Sequence, residues 1–195
     1  MKICFASHNQ NKVEELKAVI PSNFEIVSLH DLNIEEEIIE SGKTLEENSK
    51  IKARFLFEKT GNAVIADDSG LVVHALKGAP GVRSARYAGE NKDDNANIDL
   101  LLTNLSEAHD RSAYFKTVIT YISTLGKNYQ FEGVVEGEIL RTRKGTNGFG
   151  YDPIFQPAGS HISFAEMKSS EKNAISHRSK AIEKLVDFLQ QNGDR

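Results

Sequence analysis

A single cysteine, Cys4, stands among 195 residues, so no intrachain disulfide can form, and its place inside the first apolar run makes it a small packing hydrophobe. That usage suits a reducing compartment, and the cytoplasm is the expected location. No apolar run approaches the roughly 20 residues that a membrane-spanning helix needs. Met1-Lys2-Ile3 enters a strand directly, without the apolar stretch of a secretory leader, so no membrane partner is expected. Net positive charge is lacking as well: 24 Lys and Arg against 28 Asp and Glu leave a formal charge of −4. A general nucleic-acid coat would want the opposite sign, although a local cationic pocket for a small anion fits on an acidic protein. Repeats, low-complexity tracts and linkers are also missing. The expectation is one domain over residues 1–195, a size that buries roughly 70% of the surface its unfolded chain exposes.

What is present alternates strands and helices. Residues 2–6 form a short apolar strand, and the polar Ser7-His8-Asn9-Gln10-Asn11 that follows is a loop. Asn11 with Glu14 resembles a capping pair, and Val13, Leu16, Lys17 and Ile20 give one helical face before Pro21 ends it. Residues 24–29 read as a second strand, and residues 30–43 as a polar, acidic stretch. Thr44 with Glu47 is a capping box opening a helix to about Lys59. The run Ala63-Val64-Ile65-Ala66 is a buried strand that delivers Asp67 and Asp68 where it surfaces into a loop. Residues 77–92 show no clean period and read as an ordered functional loop. A helix follows over residues 95–105, then two β-rich runs, 112–124 and 129–143, which should pair as a hairpin around Gly126-Lys127-Asn128. Residues 145–150 form a glycine-rich loop, and a last helix covers residues 176–191. The fold class is α/β, with a mixed, curved central sheet flanked by helices.

Asp67 and Asp68 are the most informative residues. Adjacent strand residues point to opposite faces, so only one of them can aim into a given site. Two like charges this close persist only if solvated, hydrogen-bonded or bridged by a cation. Asp-Asp-Ser-Gly is also a good turn sequence, so other clusters have to decide. Ser7-x-Asn9-x-x-Lys12, between a strand and a helix, offers backbone donors, small polar side chains and a lysine one turn in, which is what a polyphosphate needs; an ordinary helix cap reads the same way. Gly42-Lys43-Thr44 is not the end of a Walker loop, because Glu37 stands where its first glycine must be. Glu40 follows Ile38 and Ile39, and with Asp68 it would make a sufficient protein share of a Mg²⁺ site. Gly148-Phe149-Gly150-Tyr151-Asp152-Pro153 lets a planar ligand approach the backbone, with Phe149 as a stacking face and Asp152 as an acceptor, or else is a turn with a core aromatic. Lys172 and Ser176-His177-Arg178 lie near the start of the last helix, where cations oppose the dipole and point to a bound anion or polar ligand atom, or to a surface basic run. Together the pieces describe a nucleoside triphosphate site.

These motifs, with Glu40-Ser41-Gly42-x-Thr44, Ile65-Ala66-Asp67-Asp68-Ser69-Gly70 and Gly78-Ala79-Pro80-Gly81-Val82-Arg83-Ser84-Ala85-Arg86-Tyr87, give a chain that closely resembles the non-canonical purine nucleoside triphosphate pyrophosphatases, also called inosine triphosphate pyrophosphatases or XTP/dITP diphosphatases. The resemblance implies a homodimer, two lobes around a central cleft, and Mg²⁺-dependent hydrolysis of ITP, dITP and XTP to the monophosphate and pyrophosphate. It makes Ser7, His8, Asn9, Gln10, Asn11 and Lys12 the triphosphate loop. Asp68 becomes the general base that also approaches the metal, with Ser69 touching substrate beside it. It makes Phe149, Gly150, Tyr151, Asp152, Lys172, His177 and Arg178 the nucleotide pocket, with Phe149 stacked on the purine and His177 and Arg178 donating toward its 6-oxo edge. Many relatives carry two adjacent acids before the Thr-Gly or Ser-Gly step; here the first is Ile39, which leaves Glu40 as the metal ligand. Two other readings are a nucleotide-sensing module without turnover and an RNA-binding protein using the Arg83 to Tyr87 loop, the latter opposed by the acidic balance.

Overall fold

The computed structural model describes residues 1–192. Six strands, β1 (Lys2–Phe5), β2 (Glu25–Ser28), β3 (Val64–Val73), β4 (Ser112–Ile122), β5 (Asn128–Ile139) and β6 (Phe155–Pro157), form one sheet in the order β2-β1-β3-β4-β5-β6. The sheet is mixed: β1 runs parallel to β2 and β3, and β5 pairs antiparallel with β6. Among the described residues five α-helices accompany it, α1 (Gln10–Val19), α2 (Leu45–Thr60), α3 (Asp94–Asn104), α4 (Ser169–Ile175) and α5 (His177–Asn192). No helix among the described residues is long and apolar enough to cross a membrane.

The chain divides into two compact units. The first holds Met1–Asp68, Thr117–Gly133 and the chain from Arg178 onward; the second holds Ser69–Lys116 and Val134–His177. In the first unit the parity of the strands sorts the core into two layers. Ile3 and Phe5 of β1 and Ile65 of β3 pack with Val13 and Leu16 of α1 and with Ile182, Leu185 and Leu189 of α5. Cys4, Ala6, Val64 and Ala66 pack instead with Ala53 and Leu56 of α2 and with Leu29 and Ile38. Each such fully buried Leu, Ile or Phe is worth about 1.5–3 kcal/mol. The second unit has its own core, in which Leu71, Val73, Phe115, Ile139, Phe155 and Phe164 meet Ile98 and Leu101 of α3.

The local signals act as the chemistry of their residues requires. Thr44 caps α2 by accepting from the Glu47 amide at 3.2 Å, and Gly61, in the left-handed region at φ 63°, closes it. The two β-rich runs become neighbouring strands joined by a tight turn in which the Ser123 amide donates to the Lys127 carbonyl. Three expectations need correction and one element is added. Asn9, not Asn11, caps α1, because Asn9 is extended and its side chain accepts from the Lys12 amide. Residues 77–92 are not wholly irregular: Gly81–Arg86 form a 3₁₀ turn. Residues 169–175, given no element in the sequence reading, form a short helix of their own, α4, which carries Lys172 just ahead of the last helix. Finally, β3 does not surface at Asp67 but continues through both carboxylates to Val73, with Asp67 and Asp68 only 2% and 8% exposed. Gly70 suits that path, since a Cβ there would run into the Gly81 carbonyl.

Candidate active site

The parity that sorts the core also sorts the two carboxylates. Asp67 continues the face of Ile65, so it meets α1 and α5: the Lys12 ammonium is 3.1 Å from Oδ2, and Arg178 Nε donates to the same oxygen at 3.1 Å. Arg178 Nη1 also donates to Glu15 of α1. Asp68 continues the face of Ala66, so it meets α2, where Lys52 Nζ donates to its Oδ1 at 2.8 Å and to Glu40 Oε1 at 2.5 Å. The neutralisation is internal, which is why two adjacent acids stay inside a buried strand.

The same surroundings set the protonation chemistry. Burial would raise the Asp67 carboxyl, but the Lys12 and Arg178 charges outweigh it and hold the group well below the usual carboxylate range. For Asp68 burial prevails over Lys52 and Lys12, and its carboxyl is pushed above the ordinary value, the direction that suits a proton acceptor. Burial pulls the Lys12 ammonium down against the attraction of Asp67, while Lys52 is raised because Asp68 and Glu40 overcome its burial. Arg178 is likewise raised by Asp67 and Glu15 against its burial.

The polar loop ahead of α1 is braced rather than loose. Ser7 Oγ accepts from the Asn9 amide at 3.2 Å, Gln10 reaches Glu14, and His8 Nε2 donates to the Glu36 carbonyl at 3.0 Å. His8, Asn9, Gln10 and Asn11 are exposed, and with the first turn of α1 they form a donor-rich helix N-terminus of the kind that binds phosphate. On the acidic segment, the Gly42 amide donates to Asn48 Oδ1 of α2 at 2.8 Å, which anchors the chain just beyond Glu40. Among the described residues no three His, Cys, Asp or Glu side chains gather as a metal cluster. Two carboxylate oxygens sharing one cation within 2.8 Å are nevertheless what Mg²⁺ asks of a protein when phosphates and water complete its shell, so Glu40 and Asp68 fit the ion.

The second unit gathers the aromatic and polar groups. Lys172, 6% exposed, donates to Asp152 Oδ2 at 2.7 Å and lies 4.8 Å from the centre of the Phe149 ring. The Phe149 amide donates to the same Asp152 oxygen at 2.9 Å. Gly148, at φ 75°, has to be glycine twice over, because a Cβ would also meet the Asp152 carboxylate. Tyr151 is turned away into the core, where its hydroxyl donates to the Ser84 carbonyl at 2.7 Å, and the Gly150 amide donates to Asp94. His177 stacks on Phe115, ring centres 4.7 Å apart and planes 11° from parallel. Ser69 opens this unit, half-buried on β3.

Asp68, Glu40, Lys12, Asp67 and Arg178 thus come together in the first unit, and Phe149, Asp152 and Lys172 in the second. A chain of such units at this motif spacing can be placed among known proteins. A model of the Ham1 family matches residues 3–188. The chain belongs to the Ham1 family. It is 51% identical over 189 residues to the dITP/XTP pyrophosphatase of Christiangramia forsetii, covering 97% of this chain and 99% of that protein. It is 46% identical over 193 residues to the dITP/XTP pyrophosphatase of Bacillus licheniformis, covering 97% and 98%. Among solved structures, the Staphylococcus aureus Ham1 protein superposes with a TM-score of 0.89 at 41% identity over 98% of this chain and 99% of that one. A HAM1 protein from Coxiella burnetii gives 0.90 at 40% over the same shares.

Within this Ham1 chain three site residues escaped the sequence reading: Lys52, Glu15 and Phe115. Lys52 had a signal. The buried positions of α2 include Leu45, Asn48, Ser49, Lys52, Ala53 and Leu56, a single helical stripe, and a lysine on such a stripe must have carboxylate partners. Glu15 and Phe115 had none, since a helix glutamate and a strand phenylalanine are ordinary in sequence. At the cationic start of α5, Arg178 pairs with two internal anions, Asp67 and Glu15. Arg83 and Arg86 both pair with Glu90, at 3.4 and 3.1 Å.

Proposed function

We propose that this protein hydrolyses non-standard purine nucleoside triphosphates, ITP, dITP and XTP, to the monophosphate and pyrophosphate, and so cleanses the nucleotide pool. The observation that carries the reading is Asp68, a buried carboxylate of raised proton affinity beside Lys52 and Glu40, in a chain whose full-length relatives bear the name dITP/XTP pyrophosphatase.

Asp68 accepts a proton from a water whose oxygen bonds to the α-phosphorus; the α–β bridging P–O bond breaks, and pyrophosphate leaves with that bond's electron pair. Lys12 and the loop from Ser7 to Asn11 hold the phosphate chain with ammonium and backbone donors. Glu40 and Asp68 would hold Mg²⁺, which when bound supplies positive charge to the phosphoryl oxygens. Phe149 offers its ring face to the base, and Asp152, Lys172, His177 and Arg178 supply the hydrogen-bonding groups that favour a 6-oxo purine over adenine. Ser69 touches substrate beside Asp68. The protein works as a homodimer in the cytoplasm, with neither nucleic acid nor membrane as a partner.

Pyrophosphate release in Mg²⁺ across ITP, XTP, GTP and ATP tests the reading. Higher kcat/KM for ITP and XTP than for ATP is expected. Equal values across the four would remove the cleansing role and leave a general nucleotidase, and saturable ITP binding with no pyrophosphate released would make the protein a sensor. Light scattering of the purified protein checks the dimer.

A further inference from the structure

Lys52 occupies a position that the triphosphate reaction by itself does not explain. Its side chain sits on the buried stripe of α2, only 9% exposed, and its ammonium takes one oxygen each from Glu40 and Asp68. Asp67 has its own cations in Lys12 and Arg178, so Lys52 serves the Glu40–Asp68 pair. Those are the two carboxylates read above as metal ligands, and the inference rests on that reading. A divalent ion needs the same lone pairs at close range, and an ammonium left beside it would meet like charge. The two cations therefore compete for one pair of oxygens. The backbone of Lys52 is fixed within a helix capped at both ends, but the ammonium rides on a flexible four-carbon stem and can take other acceptors.

We propose that Lys52 is a built-in competitor of the metal, keeping the Glu40–Asp68 pair closed to a free divalent cation and releasing it to one that arrives with a triphosphate, whose oxygens then accept the ammonium. Metal affinity becomes conditional on nucleotide, and by linkage nucleotide affinity becomes equally conditional on metal. The water-activating carboxylate is thereby kept neutralised until a substrate is in place.

Calorimetric titration with MgCl₂ in the absence of nucleotide tests this, on the wild type, Lys52→Met, Lys52→Gln and Lys52→Arg, each checked for folding by circular dichroism. The two neutral variants should bind free Mg²⁺ at least about tenfold more tightly than the wild type, the factor that one pKa unit of charge interaction represents. Lys52→Arg, which keeps the charge, should stay near the wild type. Mg²⁺ should also raise the Tm of Lys52→Met by more than that of the wild type. Equal affinity in the wild type and both neutral variants, with Glu40→Gln and Asp68→Asn still weakening Mg²⁺ binding, overturns the competitor role and leaves the metal pair standing. If adding Glu40→Gln or Asp68→Asn to Lys52→Met leaves Mg²⁺ binding unchanged, the metal pair is wrong and the competitor role falls with it.

Discussion

Asp67 and Asp68 follow one another on β3 and face different cations: Asp67 is held by Lys12 and Arg178, Asp68 by Lys52. Strand parity imposes the division, since the odd face of β3 looks onto α1 and α5 and the even face onto α2. The consequence is chemical. One carboxylate is locked as an anion, and the other keeps a raised affinity for a proton.

Asp68→Asn should lose at least about a hundredfold in kcat on ITP, the low end of what a general base contributes, while nucleotide binding measured without metal is largely kept. The acid limb of the wild-type kcat/KM profile should lie above the ordinary aspartate value of about 3.9, because burial raises this carboxyl, and rate should fall as pH drops through that limb. Steady-state kinetics on both proteins across pH decide it. An Asp68→Asn enzyme near the wild-type rate would falsify the assignment.

Asp67→Asn should act on stability first. It strips the buried Lys12 and Arg178 of a shared counter-charge, and breaking a buried ion pair from one side costs about 3–5 kcal/mol. A urea titration that showed a loss of less than about 1 kcal/mol would mean that Glu15 alone satisfies Arg178.

Acid sensitivity follows from the same residue. The Asp67 carboxyl is lowered in the folded protein, so its proton is released more readily folded than unfolded. Its contribution is present above the unfolded value of about 3.9 and is lost as pH falls from there toward the folded value. Asp68, being raised, works the other way: its contribution is present below the unfolded value and lost as pH rises through its folded one. Stability measured between pH 5 and pH 2 should therefore fall less steeply in Asp67→Asn than in the wild type, and parallel curves would refute the lock on Asp67.

Much of this was legible before the fold was. The Thr44 capping box, the hairpin around Gly126 and the stripe of α5 are local signals, each decided within one or two turns of chain. Asp68, Glu40 and Lys12 could be named because a carboxylate after an apolar strand or a lysine after a polar loop is a local oddity. What escaped depends on partners far away in sequence. That β3 runs on through its acids was hidden because the cations that permit it come from positions 12, 52 and 178. The Tyr151 hydroxyl donates to the Ser84 carbonyl, a contact across 67 residues that no spacing rule reaches.

Phe149 supplies the last test, because its role separates a stacking face from a packing residue. The ring is half-buried, its backbone amide is fixed by Asp152, and Lys172 lies over it at 4.8 Å. Base–aromatic stacking is worth about 1–3 kcal/mol by alanine substitution, so Phe149→Ala should raise KM for ITP about five- to 150-fold. The larger share should fall on KM, since stacking holds ground state and transition state alike. Phe149→Tyr keeps the π face and should restore most of the affinity, whereas Phe149→Leu keeps the bulk and should not. If leucine rescues as well as tyrosine, the ring fills space and the purine is held by Asp152, Lys172 and His177 instead.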